Sequence, residues 1–324
     1  MAIKIKSTNY SGQTANITFT PDTGGTQSVS GVTIPYTWNI GYIDGDYDVF
    51  FPSFNNTCEL TVSSFDADAA AYLAEVLTEG GTLNATISAA TNTLYTELKS
   101  NGLYDKMIIF YPFVGGTASS HKLMGDRTSG TSYDMQWYGG LIHSANGVNA
   151  NGSNAAGKTF FDCGDLPQDR TMMVYGNGGN TKGYVTGGGQ SGLGDENVQI
   201  ISFTNNTGYF GYGSFNTYVA DSVGTEAAGN LVSSVQGTSG SATVVGYKNG
   251  TQVVNNTNVS NTTNTNRYLS LFVDNRISIP NFGFNDASDA DVAFLGYAEY
   301  FTPAEMVTYS TIIEDFQVAL GREL

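Results

Sequence analysis

The sequence predicts a mostly β protein: a small N-terminal β module and a helix pair, then two packed antiparallel sheets closed by a C-terminal helix. Three observations predict it. Glycine is abundant, with 40 residues, while charged residues make up only 13% and aromatic residues reach 12%. Short apolar runs recur between Gly/Asn turns. The composition becomes helical from Ser63, and a helical pattern returns only at Thr302. Intrinsic disorder is excluded because it requires low hydrophobicity and high charge, and a coiled-coil protein is excluded because it would be rich in Ala, Glu, Lys and Leu.

The charge balance limits the classes of partner that the protein is expected to bind. Thirteen basic and 29 acidic residues leave a net charge of −16. Such a surface repels phosphate backbones and anionic membranes, so we expect neither nucleic-acid binding nor membrane insertion. The opening MAIKIKSTNYSG lacks the apolar segment of a signal peptide, which predicts synthesis and folding in the cytosol. In the cytosol Cys58 and Cys163 need no disulfide, and we expect both cysteines to behave as small, buried, apolar residues.

The chain is expected to divide into three parts. Residues 1–62 show alternating strands and form the predicted attachment and assembly module. Residues 63–102 form a predicted helical linker pair, whose first helix starts from a Ser63/Asp66 capping box and stops at Gly80-Gly81. Its second helix ends at Gly102.

Residues 103–324 form the predicted sandwich, with seven apolar runs separated by Gly/Asn turns. Asn249-Gly250 predicts a type I′ hairpin turn, and residues 251–266 a solvated hairpin extension or loop. Thr302-Pro303-Ala304-Glu305 predicts the capped start of the last helix, which ends at Gly321. The apolar stripe of this helix is expected to pack on the protein's own sheets, since two heptads are too few for a coiled coil.

Residues 152–159, GSNAAGKT, match the phosphate-binding pattern G-x-x-x-x-G-K-[ST] in full. A functional loop of this kind follows a buried strand and opens a helix. Here a Gly/Asn-rich stretch precedes the match, and the short segment FFDCGDLP follows it. We therefore expect a Gly/Asn loop and no nucleotide cofactor.

Acidic and histidine residues suggest no catalytic centre. Asp44, Asp46 and Asp48 begin like a calcium loop, but its required glycine and final glutamate are absent. The alternative is a solvated strand face. The triad Asp286, Asp289 and Asp291 either coordinates calcium between loops or forms a polar turn before a strand.

The two histidines, His121 and His143, occur in no metal-binding or catalytic motif, so hydrogen-bonded structural roles are expected. The E-x-D-x-x-E strand of glucanases and the G-x-S-x-G elbow are also absent. The expectation from these absences is that the protein is not an enzyme and carries no cofactor or metal.

The densest aromatic set suggests a sugar-stacking platform, because an aromatic face packs on the apolar face of a pyranose. The alternative is core packing or interface filling. The candidate residues are Tyr209, Phe210, Tyr212, Phe215 and Tyr218.

Several segments resemble known families. The hairpin VVGYKNGTQVV, the strand FLGYAEYF and the closing helix resemble the laminin-G-like, concanavalin-like jelly-roll superfamily. The block Leu103–Lys122 is similar to one in virion structural proteins of tailed phages, especially crAss-like phages. In those proteins too the chain ends with F-Q-x-x-L-G-R, here Phe316–Arg322, and the first 62 residues resemble a β module of the same proteins, with the opening Y-S-G-Q-x-A-x-I-T-F at Tyr10–Phe19.

The resemblance implies a virion structural protein, a head fibre, decoration protein or tail appendage assembled in the host cytoplasm. Its implied partners are other virion proteins, further copies of itself, with a trimer as the first expectation, and a bacterial surface glycan. The abundance of aromatics and the small size of the N-terminal module also favour an oligomer. Two alternatives stay open: a phage-borne polysaccharide depolymerase on the same fold, and a freestanding lectin. No binding residue is transferred from the family.

Overall fold

The computed structural model divides the chain into two compact units, Met1–Phe65 and Asp66–Leu324. All sheets described are antiparallel. The residues that the structure describes are 3–5, 12, 14–21, 27–33, 36–38, 45–51, 56–62, 65–126, 132–151, 154–178, 182–188, 196–204, 207–214, 219–225, 228–238, 240–259, 268–272 and 289–322.

The first unit is all β in its described residues. A two-stranded sheet pairs the first and fourth strands, and a four-stranded sheet has the order β3-β2-β5-β6. Ala15 and Ile17 of β2 are fully buried, as the alternation predicts. The strands are β1 (Ile3–Ile5), β2 (Thr14–Pro21), β3 (Gln27–Thr33), β4 (Tyr36–Trp38), β5 (Gly45–Phe51) and β6 (Asn56–Val62).

Two helices open the second unit, α1 (Ala67–Thr78) and α2 (Ala85–Ser100), and the four-residue helix α3 (Ala118–His121) follows later in the chain. The prediction that α1 starts from a Ser63/Asp66 capping box is wrong, because Asp66 is itself the N-cap and accepts hydrogen bonds from the first-turn amides of the helix. Gly80 and Gly102 follow the two helices with positive φ, as predicted.

Two large sheets form a β-sandwich, which confirms the predicted fold class. The first sheet has the order β19-β18-β17-β12-β21-β10-β9, with β7 also paired to β21. Its strands are β7 (Met107–Tyr111), β9 (Ile142–Ser144), β10 (Gly147–Asn149), β12 (Arg170–Gly178), β17 (Ala228–Gln236), β18 (Ala242–Lys248), β19 (Thr251–Val259) and β21 (Asp291–Glu299).

The second sheet has the order β16-β15-β14-β13-β20-β11-β8. The chain crosses between the sheets repeatedly, as in a jelly roll. The strands of the second sheet are β8 (Gln136–Tyr138), β11 (Ala156–Asp162), β13 (Lys182–Gly188), β14 (Glu196–Thr204), β15 (Thr207–Ser214), β16 (Val219–Thr225) and β20 (Tyr268–Leu271).

Asn249 and Gly250 both have positive φ in the turn between β18 and β19, as the type I′ prediction requires. Of the two alternatives for residues 251–266, the hairpin extension is confirmed for the first part, since Thr251–Val259 is the mostly exposed strand β19, paired with β18. Residues 260–266 lie outside the described part of the chain. Cys163 is a buried residue of the core, as expected.

The core has two layers. One lies between the sheets and includes Val174, Leu295 and, from the second sheet, Phe161 and Leu271. The other lies between the first sheet and three helices: α1, α2 and the C-terminal helix α4 (Pro303–Ala319). We call these three helices the helical layer. Among the described residues, none of the helices is long and apolar enough to cross a lipid bilayer.

The helical layer corrects one prediction and confirms another. Tyr95 of α2 and Tyr72 of α1 are fully buried in the same cluster as Phe294 of β21, so α1 and α2 cover the first sheet and do not serve as a linker. The last helix packs on the protein's own sheet, as predicted, and Tyr309 is buried against Phe294 and Phe301. Its capping box, Thr302 with Glu305, is also as predicted.

Candidate functional site

The outer face of the second sheet carries a small aromatic platform near one edge. Lys158 of β11 lies opposite Gln136 of β8 on one side and opposite Ser270 of β20 on the other. Directly paired residues of neighbouring strands lie on the same face of the sheet. Phe160, two positions after Lys158, is the exposed member of β11, whereas Phe161 is buried in the sandwich core.

The backbone at Phe160 explains its exposure. The pairing of β11 with β20 shifts register between Lys158 and Asp162, and Phe160 within this irregularity has a φ of 59°. A bulge of this kind redirects a side chain, and a left-handed non-glycine residue costs about 1 kcal/mol or more. The ring of Phe160 is 42% exposed and lies 5.6 Å from the ring of Tyr268. The fold therefore holds a strained residue with its apolar ring in solvent.

A cation lies between the two rings. Lys158 Nζ is 4.6 Å from the ring centroid of Phe160 and 4.4 Å from that of Tyr268. These are cation–π distances, and burial lowers the pKa of Lys158. Close by on β8, the Tyr138 hydroxyl donates to Gln136 Oε1 over 2.8 Å. The platform thus combines two aromatic rings, a cation, a phenol and an amide. We call Gln136, Tyr138, Lys158, Phe160 and Tyr268 the aromatic platform.

The phosphate-loop pattern is part of this sheet and not a loop. Gly157, Lys158 and Thr159 lie in β11, so the expected Gly/Asn loop is wrong for this half of the pattern. Thr159 Oγ1 donates to the Leu269 carbonyl, and β11 ends in a three-residue 3-10 turn at Cys163–Asp165. The strand is not followed by the helix that would hold a phosphate, as argued from the sequence. Residues 152 and 153 lie outside the described part of the chain.

The structure describes only some of the predicted stacking residues. Tyr209, Phe210 and Tyr212 lie in β15 of the same sheet, and Phe215 and Tyr218 lie outside the described residues. Strands β14 and β13 separate β15 from β20, which puts β15 about 15 Å from Tyr268. This set remains a prediction.

The two histidines are in contact. Gly116 N–H donates to His121 Nε2 over 3.2 Å, which places the proton of the neutral His121 ring on Nδ1. That nitrogen lies 3.2 Å from His143 Nδ1, so His121 donates to His143. Burial is the main cause that lowers the pKa of His121 to about 2 and that of His143 to about 4. Both rings are therefore neutral at pH 7, in the structural role expected.

This arrangement does not suit a metal. A histidine ligand normally donates through its second nitrogen, whereas the second nitrogen of His121 accepts. Within the described ranges, no group of three or more His, Cys, Asp or Glu side chains is placed to hold an ion.

The acidic candidates are not brought together. Asp46 and Asp48 lie in β5, where Asp48 is paired with Glu59, and Asp44 is outside the described residues. Asp291 begins β21 and accepts a hydrogen bond from Asn149, Asp289 precedes the strand, and Asp286 is outside the described residues.

Comparisons with known proteins give only distant likenesses. No family model and no curated protein matches the chain. A Trypanosoma rangeli sialidase mutant with trans-sialidase activity matches with a TM-score of 0.45 and 11% identity over 87% of this chain. The chain spans 44% of the length of that sialidase.

Two binding proteins also match. Domain 4 of AbnA, a GH43 arabinanase from Geobacillus stearothermophilus in complex with arabinotriose, has a TM-score of 0.43 and 15% identity, covering 63% of this chain and 98% of its own. Botulinum neurotoxin type C, whose cell entry depends on two ganglioside molecules, has a TM-score of 0.43 and 9% identity, covering 65% of this chain and 52% of its own.

The expectation that the protein is not an enzyme is corrected by these matches, because sialidase structures are among them. The missing carboxylate pattern was the ground for that expectation.

Sequence analysis did not find the aromatic platform. Lys158 and Phe160 stand two positions apart in β11, which places them on one face once the strand is known. Tyr268 is more than 100 positions away, and only the pairing of β11 with β20 brings it close.

Proposed function

We propose that this protein binds neutral glycans through the aromatic platform on the outer face of its second sheet. The observation that carries this proposal is the ring of Phe160, which a bulge holds in solvent beside Tyr268. Core packing does not account for an aromatic ring that a strained backbone holds in solvent. Backbone strain of this kind concentrates at binding sites. The ring supplies the surface on which the apolar face of a pyranose packs.

The exposed Gln136 amide, which lies across the strand pair from Lys158, offers hydrogen-bond donors to sugar hydroxyls. Lys158 is only 4% exposed, and its Nζ, within 5 Å of both ring centroids, holds the two rings in place. The net charge of −16 opposes strongly acidic polysaccharides. The ligand class that fits is a neutral hexose polymer or oligosaccharide.

For the setting, we propose a structural protein of a tailed-phage particle, a head fibre or tail appendage. On this proposal the protein is a homo-oligomer, with a trimer as the first expectation, and it joins other virion proteins through residues 1–62. The support is the sequence resemblance at Leu103–Lys122 and Phe316–Arg322. These two segments touch, because Arg322 Nη2 donates to the Phe113 carbonyl.

The glycan proposal is tested by titrating neutral bacterial polysaccharides against the protein and against Phe160→Gly and Tyr268→Ala variants. We expect saturable binding that falls about 5- to 150-fold in each variant, taking the loss of about 1–3 kcal/mol for a base stacked on one aromatic ring as the guide. The matched control is Val253→Ala, which removes an exposed apolar side chain from the first sheet. Binding that survives both platform variants would place the glycan elsewhere, and shortened oligosaccharide products would favour the depolymerase alternative.

The virion proposal is tested separately by mass spectrometry of purified particles and localisation by electron microscopy. Absence of the protein from particles that contain all other structural proteins would contradict it.

A further inference from the structure

A groove of about 600 Å³ runs between α2 and α4 on the outer side of the helical layer. Its floor is apolar, with Leu94 and Phe316 among the buried residues. Its walls carry small side chains, including Ala89, Thr93 and Thr311. Small walls allow another backbone to approach closely, and the two helices are about 24 and 26 Å long. These dimensions suit one face of a helix laid into the groove.

The charged side chains that line the groove are all acidic. Glu97 and Asp315 line it, and neither lysine nor arginine does. A second cavity of about 360 Å³ continues from it, sharing Thr311 and Asp315 and adding Glu314. In the described part of the chain, no salt bridge involves these three carboxylates.

The salt bridges of the helical layer use other carboxylates. Lys99 of α2 binds Asp66 and Asp68 on the side of α1. Lys106 binds Glu305 at the start of α4, and Lys122 binds Glu79 after α1. None of these three lysines pairs with Glu97, Glu314 or Asp315, so the groove presents its negative charge to a cationic partner.

We propose that the groove binds a basic amphipathic helix of a partner protein. Its apolar face lies on the exposed side chains of Val307 and Ala89, and its lysine or arginine side chains reach Glu97 and Asp315. The proposal is independent of glycan binding, which uses the opposite sheet of the sandwich. It adds a second protein-binding surface to the one expected for residues 1–62.

The test uses a synthetic 18-residue helical peptide with leucine and alanine on one face and lysines beside them. Binding is followed by fluorescence anisotropy at low and high salt. We expect saturable binding that weakens as salt increases and falls at least tenfold in a Glu97→Lys/Asp315→Lys variant. A peptide with glutamates in place of the lysines should bind that variant better than it binds the unmodified protein.

Two controls separate the groove from general charge. Asp165→Lys reverses an exposed carboxylate outside the groove and should leave the affinity within twofold. Ala89→Trp fills the groove without changing its charge and should lower the affinity at least tenfold. Absence of saturable binding, or an affinity that neither groove variant changes, would overturn the proposal. Self-association that is lost in the Glu97→Lys/Asp315→Lys variant would instead identify a second copy of the chain as the occupant.

Discussion

Arg322 Nη2 donates to the carbonyl oxygen of Phe113 over 2.9 Å, and Arg322 Nε donates to the carbonyl of Ala145 over 2.6 Å. One guanidinium thus joins the end of the chain to two loops that are more than 170 positions away. The side chain is only 6% exposed, and desolvation lowers the pKa of Arg322 to about 10. Arg322, three positions after the end of α4, therefore serves as a tie between the helical layer and the edge of the sandwich.

Replacing Arg322 with methionine should destabilise the protein by about 3 kcal/mol, because hydrogen bonds to buried charged groups contribute about 1.5–3 kcal/mol each. Urea unfolding measures this loss. Val318→Ala, an exposed change on the same helix, should stay within about 0.5 kcal/mol. An equally small effect of Arg322→Met would show that the tie contributes nothing to stability.

The histidine pair should make stability depend on pH. The pKa of His143 in the fold is about 4 and that of His121 about 2, both below the usual 6.5. Between these values and pH 6.5 the unfolded chain binds protons that the folded chain does not. The free energy of unfolding therefore falls as pH decreases, by up to about 1.4 kcal/mol per pH unit for each histidine.

Measurement from pH 6.5 to 5 isolates this effect, because carboxylates titrate lower and the chain has only two histidines. A His143→Gln variant should show about half the slope. A slope that is the same in both proteins would assign the pH dependence to other groups.

Phe160 and its neighbour Phe161 should respond differently to truncation. Phe160→Gly removes an exposed ring but also relieves a left-handed φ of 59°, so the free energy of unfolding should change by no more than about 1 kcal/mol. Phe161→Ala opens the sandwich core and should cost about 3–5 kcal/mol. Equal losses in urea unfolding would mean that Phe160 belongs to the core.

Gly157 should be essential for packing and irrelevant to nucleotides. A Cβ at Gly157 would lie 2.4 Å from Met135 Sδ and 2.7 Å from the ring of Trp137. Gly157→Ala should therefore cost about 1–3 kcal/mol, and Trp137→Phe should relieve part of that cost in the double variant. Calorimetric titration of the unmodified protein with magnesium-ATP should give no binding heat; micromolar binding would restore the phosphate-loop interpretation.

Deleting residues 1–62 should leave a folded sandwich that does not join the particle. The second unit begins at Asp66, so the deletion keeps the N-cap of α1 and its salt bridge with Lys99. Circular dichroism and thermal unfolding check the fold, and incorporation into particles checks the attachment. Normal incorporation of the shortened protein would remove residues 1–62 from the attachment model.

Features coded by neighbouring residues were predictable. The cap formed by Thr302 and Glu305 and the turn at Asn249-Gly250 each depend on a few consecutive side chains. The aromatic content and the Gly/Asn turns likewise indicated the sandwich.

Features that depend on strand register were not predictable. Phe160 meets Tyr268 only because β11 pairs with β20 through an irregular register, and α1 and α2 read as a linker until Tyr72 and Tyr95 are seen against the first sheet. The contact between Arg322 and Phe113 spans 209 positions, and periodicity carries no information at that distance.

Strand β21 is the last described strand of the first sheet in chain order, and it lies at the centre of that sheet. It pairs with β12 along one edge and with β7 and β10 along the other. Until residues 291–299 leave the ribosome, three earlier strands lack this central partner and expose pairing edges. The sandwich therefore closes only after residue 299 has been synthesised, and products that terminate before residue 291 should aggregate and not assemble.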